Sequence, residues 1–91
     1  MYGDFLAILE ARSRNKFEKL EFDYYDKFLY ISFYVKSDNT MYLIPYTVDF
    51  IKIERYRGQY SFLAEIIIQK SYVKYFGYEY PRKDNIKTHF V

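Results

Sequence analysis

Phe28-Leu29-Tyr30-Ile31-Ser32-Phe33-Tyr34-Val35-Lys36 is the stretch that decides the fold. Leu29, Ile31, Phe33 and Val35 fall on one side of an extended chain; Phe28, Tyr30, Ser32, Tyr34 and Lys36 fall on the other. Strict alternation of this kind marks an antiparallel strand with one face on a core and one towards water. Residues 19–25 repeat the pattern, with Leu20, Phe22 and Tyr24 set between Lys19, Glu21 and Asp23. Tyr25-Asp26-Lys27 joins the two strands as a short hairpin connection, and Ser37-Asp38-Asn39 supplies the next turn.

Upstream the period is that of a helix. Phe5, Ile8 and Leu9 share a face at i, i+3 and i+4, Asp4 stands where an N-cap belongs, and Arg14-Asn15-Lys16 brings cations to the far end. This predicts a helix over about residues 4–16. Downstream, residues 41–44 read as a strand, Pro45 interrupts, and 47–56 resumes, giving either two short strands or one bulged edge strand. After a turn at Arg57-Gly58-Gln59, residues 60–70 read as a strand with Phe62, Ala64, Ile66 and Ile68 on one side. Residues 72–80 form a last candidate strand with Gly77 as a bulge, and 82–91 a solvated tail. The expectation is a single α+β domain over residues 1–91: one N-terminal helix packed on a four- to six-stranded antiparallel sheet, mostly a meander.

Composition narrows the chemistry. The chain has 91 residues, no Cys and no Trp, one His, three Gly, and 24% Phe plus Tyr, so one small core must hold many rings. Without Cys there is no disulfide, thiol nucleophile or zinc knuckle. His89, near the C-terminus, has no catalytic partner in the pattern, no serine sits in a G-x-S-x-G elbow, and the dispersed glycines form no phosphate loop. Asp23, Asp26 and Asp38 match no calcium loop and read as charged hairpin ends; Glu65 reads as the polar half of an alternating strand. No catalytic residue, metal or cofactor is therefore expected. No apolar run reaches membrane-spanning length and the first residues lack the pattern of a signal peptide, so a cytoplasmic protein is expected.

Two binding surfaces remain. Phe28, Tyr30 and Tyr34, with Tyr42 and Tyr46 beside them, form a tyrosine-rich stripe suited to a protein partner, host or foreign, or to a homodimer. The alternative is a nucleic-acid or nucleotide site. Residues 70–91 carry five Lys/Arg against two Asp/Glu, and Lys70, Lys74, Arg82 and Lys83 are interleaved with Tyr72 and Tyr75. In size, lack of Cys and AT-rich amino-acid usage the chain resembles accessory proteins of phages, archaeal viruses and plasmids. That resemblance implies a non-enzymatic inhibitor of host defence that occludes its target, as anti-CRISPR proteins do.

Overall fold

A computed structural model describes residues 2–76. The order of elements is α1 (Gly3–Ser13), β1 (Lys19–Tyr25), β2 (Phe28–Ser37), β3 (Thr40–Asp49), α2 (Phe50–Arg55) and α3 (Tyr60–Phe76). The three strands form an antiparallel meander, β1-β2-β3, so the α+β class holds with three strands among the described residues instead of four to six.

Both hairpins turn on two residues. Asp26 takes φ 57°, while Asp38 and Asn39 take φ 53° and 62°. The two consecutive positive φ values at Asp38-Asn39 are the type I′ geometry, whose twist matches that of paired strands. These turns lock the register: Ile31 faces Phe22 on β1 and Tyr46 on β3, and Phe33 faces Leu20 and Ile44. Pro45 neither interrupts nor bulges β3. It lies opposite Ser32 in an unbroken register on an edge strand, where a missing donor points away from the sheet.

Beyond Asp49 the chain departs from the strands expected of it. The Asp49 side chain accepts a hydrogen bond from the Lys52 amide at 2.6 Å and caps α2, so strand character ends there and not at residue 56. Gly58, at φ 86°, makes the turn into α3. Residues 60–70 and 72–76, read above as strands, are one 17-residue helix. Leu63, Ala64, Ile67, Ile68 and Ser71 are buried while Phe62, Glu65, Gln69 and Lys70 are exposed, a repeat of 3.6 and not 2. Residues 77–80 of the last candidate strand, and the tail 82–91, lie outside the described residues.

The layer opposite the sheet is built by α1 and α3 side by side. Phe5 meets Tyr60 at 5.4 Å between ring centroids, Arg12 pairs with Glu65 at 2.7 Å, and Lys16 lies 4.8 Å from the Tyr72 ring. Contacts in that order make the two helices parallel. The principal partner of α1 is α3, and α2 and α3 rest on β3, so the N-terminal helix does not cover the sheet alone as expected. Helix α1 begins at Gly3, with Tyr2 and not Asp4 in the capping position. Phe5, Leu9, Leu29, Ile31, Phe33, Ile44, Ile53, Leu63 and Ile67 are the closed centre of the core. Phe17, just beyond α1, packs its ring 4.5 Å from that of Phe33.

Candidate functional site

The helices cover one face of the sheet and leave the other open. Because β2 is central, its outward side chains from Phe28 to Tyr34 each have a neighbour on both flanks. Lys19, Tyr34 and Leu43 make one row, Glu21, Ser32 and Pro45 the next, then Asp23, Tyr30 and Thr47, then Tyr25, Phe28 and Asp49. Lys36 and Met41 extend the face at the far end. Its apolar members stand well out: Met41 is 50% exposed, Leu43 47%, Tyr30 40% and Phe28 37%. Four rows on three strands span about 24 Å by 14 Å at ordinary strand dimensions, roughly 340 Å² in projection.

Of the five side chains assigned to a partner surface from sequence, the structure brings three together. Phe28, Tyr30 and Tyr34 share the open face, with the Phe28 and Tyr30 rings 6.3 Å apart. Tyr42 and Tyr46 do not join them. They pair with Val35 and Ile31 and point into the core side, Tyr42 buried and Tyr46 half-buried. Their places are taken by Met41, Leu43, Pro45 and Thr47, which a reading of aromatic residues overlooks. The signal was available in the turn. A two-residue loop at Asp38-Asn39 pairs Ser37 with Thr40, and counting outward pairs Tyr34 with Leu43.

One polar cluster sits at the edge of this face. Lys19 Nζ lies 5.4 Å from the centre of the Tyr34 ring and 3.6 Å from Glu21 Oε2. The Tyr34 hydroxyl donates to the Glu21 carboxylate, and that bond raises the phenol above its usual value of 10. The arrangement places the Lys19 ammonium over the Tyr34 ring and ties the phenol to Glu21 on the neighbouring strand.

Four of the six residues of the alternative site, Lys70, Tyr72, Lys74 and Tyr75, lie on α3. Lys70 is exposed and Tyr72 half-buried against Lys16 on α3; Lys74 and Tyr75 belong to the last turn of the same helix; Arg82 and Lys83 lie outside the described residues. Glu65 is helical and exposed, paired with Arg12, and not part of a strand.

A groove of about 700 Å³ runs between the first turns of α1 and the α2–α3 connection, lined by Tyr2, Asp4, Ile8, Arg57, Tyr60 and Ser61 among others. Its charged groups are one carboxylate and one guanidinium, with no histidine or cysteine in its wall. Among the described residues no three His, Cys, Asp or Glu side chains are grouped to hold a metal ion, and no helix is long and apolar enough to cross a membrane. No family model, no curated protein and no solved structure matches the chain.

Proposed function

We propose that the chain is a non-enzymatic binding protein that occludes a protein partner with the open face of its sheet. The observation that carries this reading is the set of exposed apolar side chains Phe28, Tyr30, Met41 and Leu43 on one sheet face, which the chain's own helices leave uncovered. Patches of a few hundred Å² rimmed by polar groups mark interaction sites on soluble chains. Tyrosines on a rigid strand offer large contact area with little rotamer entropy to lose. The face alone is smaller than the roughly 800 Å² per partner of a standard interface. A dimer resting on it alone would therefore be weak, which favours a foreign partner whose contact extends past the sheet. The narrower reading, a phage- or plasmid-borne inhibitor of host defence, rests on size and composition.

The test is affinity capture from lysate of the source cells by the wild-type chain, by Leu43→Glu and by Ile51→Glu. Ile51 is 65% exposed, lies on α2 and serves as the control away from the face. A single protein held by wild type and Ile51→Glu, lost with Leu43→Glu, and inhibited at one-to-one stoichiometry is the expected result. A captured protein indifferent to Leu43→Glu refutes the reading. So does steep salt-dependent binding to single-stranded nucleic acid with no protein target, which selects the alternative.

A further inference from the structure

The two edges of the sheet are unlike each other. In β3 the middle of the free edge is Pro45, which has no N–H to offer. In β1 the two-residue turn at Asp26-Lys27 sets the alternation of bonds to β2, and turns the N–H and C=O of Leu20, Phe22 and Tyr24 outward. Among the described residues nothing pairs with that edge, and β1 carries no proline, glycine or bulge.

The inner row beside the same edge is incompletely covered. Leu29, Ile31 and Phe33 of β2 are 0–1% exposed, yet their partners on β1 are not: Leu20 and Phe22 are half-buried and Tyr24 is 46% exposed. One more strand at β1 would set apolar side chains beside this row of three while satisfying the outward backbone groups.

Charge says what that strand must carry. Residues 18–26 hold four carboxylates, Glu18, Glu21, Asp23 and Asp26, against Lys19, in a chain whose net charge is +2. Glu21 is offset in part by Lys19, whereas Asp23 has no ion-pair partner among the described residues. A second copy is a poor occupant. With both inner faces kept on one side, antiparallel pairing centred on Phe22 sets Glu21 against Asp23 twice. Sliding two residues either way, the step that keeps the faces matched, sets Glu21 on Glu21 (with Lys19 against Asp23) or Asp23 on Asp23, and like charges directly opposite destabilise a sheet.

We propose that β1 is a strand-addition site for an extended partner segment in which basic and apolar side chains alternate. Its main chain bonds to Leu20, Phe22 and Tyr24, its cations lie opposite Glu21 and Asp23, and its apolar side chains close the inner row. The site is the edge of the sheet, not its open face, and does not depend on the function proposed above.

The probes are three fluorescein-labelled, end-capped peptides: Lys-Val-Lys-Ile-Lys-Val-Lys, the same sequence with glutamate for lysine, and the lysine form with proline at both valines. Fluorescence anisotropy at physiological ionic strength gives affinity, and amide exchange by NMR reads Leu20, Phe22 and Tyr24. The lysine–valine peptide is expected to bind at least tenfold tighter than the other two and to slow exchange at the three amides at least tenfold. Asp23→Lys should weaken it at least fivefold; Asp23→Asn, a gentler change at an exposed position, should weaken it about twofold. Equal binding of the lysine–valine and proline peptides means electrostatic adsorption and overturns the proposal, as does unchanged amide exchange. Protection of the three amides in the free protein, at any concentration, shows the edge already taken by the chain itself or by a second copy, and overturns it too.

Discussion

Truncating Ile31 and truncating Tyr30 should give opposite phenotypes although the residues are neighbours. Ile31 is 1% exposed and lies between Phe22 and Tyr46 on the covered face; Tyr30 is 40% exposed and lies between Asp23 and Thr47 on the open one. Ile31→Ala deletes three buried carbons, worth about 2.4 kcal/mol at about 0.8 kcal/mol per methylene. If the strands do not collapse, a cavity of roughly 60 Å³ adds about 1.5 kcal/mol. The sum, about 2.5 to 4 kcal/mol, is a large share of the roughly 5 to 14 kcal/mol typical of a chain this long. Its melting temperature should fall by about 10 °C or more. Tyr30→Ala loses some strand preference and cross-strand contact, about 1 kcal/mol or less, but about 1 kcal/mol or more of partner binding if Tyr30 is a hot spot. Urea unfolding followed by far-UV circular dichroism separates the two, provided the m-values agree. A Tyr30→Ala midpoint as low as that of Ile31→Ala would show the open face buried in solution, and the assignment of core and binding faces would be wrong.

The remaining expectations use the same assay unless stated. Leu63→Glu places an unpaired carboxylate at a site with 0% exposure and should cost more than about 3 kcal/mol, whereas Phe62→Glu, at 59% exposure, should cost about 1 kcal/mol or less; a strand at 60–70 would reverse the order. Asp49→Ala removes the cap on the Lys52 amide and should cost about 1 kcal/mol; no change would mean α2 needs no cap. Ser71 Oγ is buried without a hydrogen-bond partner among the described residues, so Ser71→Ala should be neutral or stabilising by up to about 1 kcal/mol, and a clear loss would reveal a bond to that hydroxyl. Burial raises the Tyr46 phenol above its usual value of 10, so the folded chain holds that proton more tightly than the unfolded one. The resulting stability is complete below the unfolded pKa and drains away as pH rises through the folded one. Tyr46→Phe should flatten the alkaline fall, and an unaltered slope between pH about 10 and 12 would refute the assignment.

The central strand was legible because Phe28 to Lys36 alternates without a break, and helix and strand cannot share that pattern. Helix α3 was not legible for the opposite reason. Six of the seven residues from Phe62 to Ile68 are apolar, so the inward sets of both periods are filled, and Ile66-Ile67-Ile68 tilts propensity towards a strand. What separates them is polar spacing: Ser61, Glu65 and Gln69 recur every fourth residue and share one helical side. The contact that orients this side, Arg12 with Glu65, spans 53 positions and belongs to no local window. For α2 the marker was the cap, since Asp49 three places before Lys52 starts a helix too short to show its own period. At the open face, aromatic identity led to Tyr42 and Tyr46, while the geometry of the Asp38-Asn39 turn leads to Leu43 and Met41.

Parallel packing of α1 against α3 has a consequence for synthesis. Both hairpins are local and can pair as soon as Asp49 has left the ribosome, but the layer that covers them needs α3, up to Phe76. At about 5 to 20 residues per second, those 27 residues take about 1 to 5 s, far longer than a hairpin needs to form. Throughout that interval the nascent chain exposes Leu29, Ile31, Phe33 and Ile44 on one side and the tyrosine face on the other. Pro45 at one border and the carboxylates of β1 at the other then act as gatekeepers against neighbouring nascent chains. Exchanging Pro45 for a β-branched residue should lower soluble yield more than it alters the melting temperature of the protein that does fold.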